Sequence, residues 1–141
     1  MAQMVRDVMT AAPIEVSPRA FVSDVASRMR DEDIGAVLVT EDGHLRGLVT
    51  DRDLTVRVVV EGGDLSNSRV RDACSGDIVS VSPDDQVDRA VHLMRAKAIH
   101  RIPVVDPDRD CVVGLVSLGD LAVERDRHSA LGDISAADPN T

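Results

Sequence analysis

Apolar and polar residues alternate with a spacing that predicts a strand followed by a helix near the start of the chain. The segment Ile14-Glu15-Val16 alternates as a short half-buried strand does. Ser17-Pro18 then predicts a helix N-cap with proline at the first helical position, and the helix extends to about Asp33. Its apolar stripe has i, i+3, i+4 and i+7 spacing and consists of Val22, Val25, Ala26 and Met29.

Two short apolar runs after this helix predict a β-hairpin. They cover residues 36–40 and 45–49, and the polar tetrapeptide Glu41-Asp42-Gly43-His44 between them places a glycine in the turn. A helical pattern resumes at Asp51 and continues to Val60. The predicted order of elements is therefore strand, helix, strand, strand, helix.

This order is repeated later in the chain. Val5-Arg6-Asp7 returns as Val70-Arg71-Asp72, at an offset of 65 (70 − 5). Gly47-Leu48-Val49-Thr50 returns as Gly114-Leu115-Val116-Ser117, at an offset of 67 (114 − 47). The chain is thus a tandem duplication of one supersecondary unit. The second copy has predicted strands at 78–81, 101–105 and 111–116 and predicted helices at 83–97 and from 118.

The repeat divides the chain into four parts. The copies cover residues 4–60 and 70–126, a polar Gly/Ser linker covers 61–69, and the composition of residues 127–141 predicts a disordered tail. Because each copy is too small to bury a good core alone, we expect the two to pack as one α/β (α+β) module of tandem β-α-β-β-α units with pseudo-twofold symmetry.

Charge and composition exclude several kinds of partner. The net charge is −9 and Phe21 is the only aromatic residue, so neither nucleic acid nor an anionic membrane surface is an expected partner. No apolar window is long enough to span a membrane, and the first residues lack a secretory signal pattern. These features predict a cytoplasmic protein.

The sequence offers no catalytic or metal site. It has no Walker loop and no nucleophile paired with a base, and His44, His92 and His128 are scattered along the chain. Cys74 and Cys111 occupy non-equivalent repeat positions outside any close ligand spacing, which predicts reduced thiols. We therefore expect neither an enzyme nor a metalloprotein.

The duplicated unit resembles a CBS-domain pair, or Bateman module. The resemblance rests on Gly-Leu-Val-Thr-Asp-Arg-Asp-Leu at 47–54 and Gly-Leu-Val-Ser-Leu-Gly-Asp-Leu at 114–121. Met9-Thr10 with the segment at 13–18, and the string Ile-His-Arg-Ile-Pro-Val-Val-Asp at 99–106, support it. It covers about residues 4–125, and the chain resembles the stand-alone members of the family.

The resemblance implies a ligand and an assembly. Members typically bind AMP, ADP, ATP, NAD or S-adenosylmethionine in clefts between the two copies, as regulatory ligands rather than required cofactors. Their pairs usually form homodimers shaped as flat discs.

The strand-to-helix junctions are the leading candidate site. They carry Thr50-x-x-Asp53 in the first copy and Ser117-x-x-Asp120 in the second. A hydroxyl at a helix N-terminus can donate to phosphate, a carboxylate can accept from ribose hydroxyls, and the resemblance implies these two roles. The alternative is that each pair is merely a helix capping box.

His100 and Arg101 are the candidate phosphate contacts of the second copy. The resemblance implies this role for them, whereas the equivalent first-copy residues, Gly35 and Ala36, carry no charge. The alternative is that both side chains form surface ion pairs with nearby acids.

The first strands supply the candidate base contacts. Pro13-Ile14 and Ile78-Val79 are expected to sandwich adenine while main-chain groups recognise its edge. The alternative is that these aliphatic side chains belong to the core.

The sequence thus predicts a homodimeric module that senses an adenosyl ligand and signals to an unknown protein partner by a change in shape. The alternative function is a ligand-free dimeric scaffold or stress-response interaction protein. A redox or metal switch through the two cysteines is a third reading.

Overall fold

The computed structural model describes residues 3–60, 62, 64, 66–74 and 78–125, without the side chains of residues 123–125. The chain forms two compact units, which we call the first unit (Ile14–Ile78) and the second unit (Met1–Pro13 with Val79–Thr141). The predicted linker at 61–69 lies partly outside the described residues, and the predicted tail at 127–141 lies wholly outside them.

Six helices and six strands make up the described chain. In chain order they are α1 (Val5–Val8), β1 (Thr10–Ala11), β2 (Glu15–Val16), α2 (Val22–Glu32), β3 (Ala36–Glu41), β4 (His44–Thr50), α3 (Asp51–Asp53, continued by a π-helical stretch at Leu54–Val59), α4 (Val70–Ala73), α5 (Val87–Lys97), β5 (Arg101–Asp106), β6 (Cys111–Ser117) and α6 (Leu118–Arg125). None of the described helices is both long and apolar enough to cross a membrane. The mixed α/β class predicted from the sequence is confirmed.

Each unit contains one three-stranded sheet. In the first unit the order is β2-β3-β4, with β2 parallel to β3 and β4 antiparallel to it. The turn of this hairpin has positive φ at Asp42 (53°) and Gly43 (81°), as a tight two-residue turn requires. In the second unit the order is β1-β6-β5 and both pairings are antiparallel.

The predicted strand at 78–81 is wrong, because only Val81 pairs there, with Val104. In the first unit the Leu38 N–H donates to the C=O of Ile14, the residue before β2, at 2.9 Å. This bond holds the start of β2 against β3. The residue equivalent to Leu38 is Pro103 (103 − 65), which has no N–H to donate. The second copy therefore keeps a single bridge where the first copy has a strand.

Both long helices begin four residues later than predicted, at Val22 and Val87 instead of Pro18 and Pro83 (22 − 18 and 87 − 83). The hydroxyl of the serine before each proline accepts a hydrogen bond from the N–H two residues further on, at 3.1 and 3.2 Å. This local bond closes a turn that precedes the helix. The Ser-Pro pairs therefore form turns and do not cap the helices.

Two four-residue helices that the sequence did not predict exchange places between the repeats. α1 belongs to the first repeat by sequence, yet Val5 is fully buried in the second unit's core, and its N–H donates to the Asp85 C=O (2.8 Å). α4 belongs to the second repeat, yet Val70 is fully buried in the first unit's core, and its N–H donates to the Ala20 C=O (2.8 Å). The borders of the compact units therefore differ from those of the sequence repeats.

Arg69 holds α4 on the first unit. Its guanidinium carbon lies 4.0 Å from the centroid of the Phe21 ring, and the same group donates to the Arg19 C=O (2.7 Å). Phe21 and Arg69 also form a backbone bridge. The only aromatic side chain of the protein is thus used in a cation–π contact at the start of α2.

Candidate functional site

Each unit has a reciprocal hydrogen-bonded pair where a strand passes into a helix. The Thr50 N–H donates to Asp53 Oδ2 (2.9 Å), and the Asp53 N–H donates to Thr50 Oγ1 (3.1 Å). Ser117 and Asp120 repeat both bonds at 2.9 and 3.1 Å. The capping boxes considered as the alternative reading are therefore present in both units. A box of this kind leaves the hydroxyl hydrogen and the second carboxylate oxygen available for other partners.

The second carboxylate oxygen differs between the units. Asp53 Oδ1 lies 3.6 Å from Arg57 Nε, one helical turn further on. Asp120 Oδ1 has no partner within the described part of the chain. Asp120 is thus the better acceptor for an incoming hydroxyl group.

Arg101 lies beside the Ser117–Asp120 pair. It stands directly opposite Ser117 in the β5–β6 ladder, and directly opposed residues of antiparallel strands project from the same face of the sheet. Arg101 is half-buried and forms no ion pair with any residue that the structure describes. In the first unit the same ladder position joins Ala36 to Thr50 and supplies no charge.

His100 is exposed, and its C=O accepts a hydrogen bond from the Leu118 N–H (2.8 Å) at the start of α6. As with Arg101, no ion pair of its side chain occurs among the described residues. Surface ion pairs, the alternative reading of His100 and Arg101, are therefore absent from the described structure. Arg101, Ser117 and Asp120 come together, with His100 preceding Arg101 at the end of the sheet.

The residue that follows β4 is an acid, whereas the residue that follows β6 is apolar, and this difference was not predicted to matter. Asp51 Oδ1 accepts a hydrogen bond from the Arg52 N–H (2.8 Å), so a carboxylate covers one free N–H at the start of α3. The equivalent of Asp51 in the second unit is Leu118, an exposed apolar residue that can accept nothing. The signal was visible in the alignment of Thr-Asp-Arg-Asp with Ser-Leu-Gly-Asp.

The four candidate base contacts flank the two points at which the chain passes from one unit to the other. Ile14 and Ile78 belong to the first unit, and Pro13 and Val79 belong to the second. All four are half-buried, and Ile14 packs against the first unit's core. Their predicted role in base contact stays a prediction.

The cysteines do not form a disulfide. Cys74 and Cys111 are free and half-buried, and no group of three or more His, Cys, Asp or Glu residues suited to a metal ion occurs in the described ranges. Burial is the main cause that raises the pKa of the Cys74 thiol, and the nearby carboxylate of Asp53 raises it further.

We predict a slow reaction of Cys74 with a disulfide reagent. Because the reactive species is the thiolate, a raised pKa lowers its fraction at any pH below that pKa. In a Cys111→Ser protein, the rate plotted against pH should have its midpoint above 9.0, the ordinary pKa of the group. The same protein unfolded in guanidinium should react faster at pH 8, because its thiol is no longer buried. A native midpoint below 9.0 would contradict this prediction.

The two copies of the repeat each match a known protein family. A family profile described as the CBS domain matches residues 5–60 and 70–126. The CBS domain-containing protein YhcV of Bacillus subtilis (strain 168) is 37% identical over 128 residues, which is 91% of this chain and 89% of the relative.

Solved structures show the same fold. The CBS-domain structure NE2398 has a TM-score of 0.80 at 22% identity, covering 88% of this chain and 98% of that one. The CBS domain pair of protein MJ0100, in complex with 5′-methylthioadenosine and S-adenosyl-L-methionine, has a TM-score of 0.76 at 21% identity, covering 86% and 94%. From the duplicated sequence, the two sheet-and-helix units and these matches together, the chain belongs to the CBS-domain family and carries the domain twice.

Proposed function

We propose that the protein is a non-catalytic regulatory module that binds an adenosine-containing ligand through Thr50–Asp53 and Ser117–Asp120. Its bound state is passed to a protein partner by a change in shape. The observation that carries this proposal is the half-buried Arg101, which lies beside Ser117 and Asp120 without an ion pair among the described residues.

The groups in the second unit suit a nucleotide. An arginine fork binds phosphate in two-point contact, and the Ser117 hydroxyl and the Gly119 N–H in the first turn of α6 add donors beside it. The Leu118 and Asp120 N–H groups already donate to the His100 C=O and to Ser117 Oγ. Asp120 Oδ1 is the acceptor for a ribose hydroxyl. Phosphate donors and a diol acceptor on one strand-helix junction favour a ligand that carries both a phosphate and a ribose diol. AMP is the smallest such compound among the typical ligands of the family.

Base recognition is proposed at the segments 13–14 and 78–79, which precede β2 and the Val81 bridge. Because Pro103 cannot donate to the preceding segment, the Val79 C=O accepts no hydrogen bond in the described part of the chain. A free main-chain carbonyl can accept from the amino group of adenine. Pro13-Ile14 and Ile78-Val79 stay the proposed apolar contacts for an adenine base. The CBS pair of MJ0100, which is in complex with 5′-methylthioadenosine and S-adenosyl-L-methionine, supports an adenosyl compound as the class of ligand.

A ligand-free dimeric scaffold is the second candidate function. Two observations favour it. Both capping boxes are complete within the protein itself. In the first unit Arg57 Nε also lies 3.6 Å from the second carboxylate oxygen of Asp53. In this case the junctions only hold the helices in place. We infer a homodimer under either function, as the family resemblance implies.

The test is calorimetric titration of nucleotide-stripped protein with AMP, ADP, ATP, NAD and S-adenosylmethionine. We expect micromolar binding of at least one ligand, and loss of that binding in the Asp53→Ala/Asp120→Ala protein. Asp24→Ala removes an exposed carboxylate of α2 and is the matched control, which should bind as the unmodified chain does. No heat from any ligand of the panel would favour the scaffold.

A further inference from the structure

The first turns of α3 and α6 differ in charge at the place where an anion would bind. The N–H groups that begin a helix have no partner within the helix, and this end of the helix attracts negative charge. In the first unit the Asp51 carboxylate already accepts from one of them, the Arg52 N–H (2.8 Å). An incoming phosphate would have to displace this carboxylate and would be repelled by it.

The facing strand differs in charge as well, and this difference also disfavours an anion in the first unit. Opposite Thr50 the first unit has Ala36, whereas opposite Ser117 the second unit has Arg101. The first unit therefore gains an anion and lacks a cation at its junction. The second unit has the reverse arrangement, since its equivalent of Asp51 is Leu118.

Two arginines of the first unit do not reverse this comparison. Arg57 Nε lies 3.6 Å from Asp53 Oδ1, so that acid offsets its charge. Arg52 is exposed, and its charge is screened by water and lies next to the Asp51 carboxylate in sequence. Neither of them occupies the ladder position that Arg101 occupies in the second unit.

We propose that Asp51 is a specificity-determining residue, which makes the first unit's junction reject phosphate and accept adenosyl compounds with an uncharged or cationic 5′ substituent. The second unit then binds the nucleotide, so one chain responds to two classes of adenosyl ligand. This inference rests on the proposed adenosyl-binding function and assigns a ligand class to each of its sites.

The test compares 5′-methylthioadenosine with AMP, which share adenosine and differ in charge at the 5′ position. In an Asp120→Ala protein, where the first unit's site remains, we expect 5′-methylthioadenosine to bind about tenfold more tightly than AMP. Adding Asp51→Asn removes the charge and keeps an oxygen for the Arg52 N–H. We expect this change to raise AMP affinity about tenfold and to leave 5′-methylthioadenosine affinity within about twofold. Asp24→Asn, on the exposed face of α2, is the matched control.

Equal affinity for the two compounds in Asp120→Ala, or an unchanged ratio after Asp51→Asn, would overturn the inference. Binding of AMP to Asp53→Ala with no binding of either compound to Asp120→Ala would also overturn it, but would leave the proposed function standing. No binding to any variant or to the unmodified chain would remove both. If Asp120→Ala does not fold, titrations of the unmodified chain followed by the amide NMR shifts of residues 51–54 give a dissociation constant at the first unit's junction for each compound. Tighter binding of AMP than of 5′-methylthioadenosine there would overturn the inference.

Discussion

Replacing Arg101 with alanine should lower the affinity for AMP about 10- to 100-fold and leave the affinity for adenosine nearly unchanged. A hydrogen bond between charged groups contributes about 1.5–3 kcal/mol, which corresponds to this range. The effect should be confined to phosphate-bearing ligands, because Arg101 lies opposite Ser117 in the β5–β6 ladder. It is not one of the candidate base contacts at 13–14 and 78–79. Calorimetric titration with the two ligands measures the ratio directly.

Arg101→Lys is the matched control for charge. Lysine keeps the positive charge but lacks the planar fork, so we expect AMP affinity between those of the unmodified and Arg101→Ala proteins. Arg95→Ala, at an exposed position of α5, should change neither affinity. AMP binding that is unchanged in Arg101→Ala would remove this residue from the phosphate site.

Replacing Val5 with aspartate should unfold the second unit, although Val5 belongs to the first repeat by sequence. Val5 is fully buried in a core that includes Ile102, Val104 and Val116. An unpaired carboxylate placed there costs about 3–5 kcal/mol, a large fraction of the stability of a small domain. Hydrogen exchange should show lost protection in β5 and β6, with β3 and β4 affected less.

Val70→Asp is the mirror experiment, and its loss of protection should be concentrated in β3 and β4 because Val70 is buried in the first unit. Arg6→Ala is the surface control on α1: Arg6 pairs with Asp84, and both side chains are largely exposed, so the cost should stay below about 1 kcal/mol. Loss of protection in β3 and β4 on Val5→Asp, with β5 and β6 intact, would contradict the exchange of α1 and α4.

Local patterns were sufficient for most elements and failed where a distant residue decides the structure. The burial of Val22, Val25 and Met29 on α2 follows from their spacing, although Ala26 of the predicted stripe is exposed. The Asp42-Gly43 turn follows from turn chemistry. The prediction of a strand at 78–81 was wrong because Pro103, about 20 residues away, has no N–H to donate to it. The exchange of α1 and α4 depends on packing between segments far apart in sequence, and four-residue helices are too short to show a period.

The candidate site was predictable in its residues but not in its geometry. The Thr50 and Asp53 pair and its counterpart were recognised because they recur in register. The position of Arg101 opposite Ser117 depends on the ladder register, which a sequence does not display. The Asp51 bond to the Arg52 N–H was not predicted, because Asp51 is replaced by Leu118 in the second copy and so is not part of the repeated motif.

The exchange of α1 and α4 also determines the order in which the protein can fold as it is synthesised. The first unit is continuous in the chain, so every residue of its core is available once Ile78 has been made. The second unit combines α1 with strands that come about 100 residues later, so Val5 has no native core to enter until β5 and β6 have formed. Of the described helices, α1 is thus made before the others and is among the last to be buried.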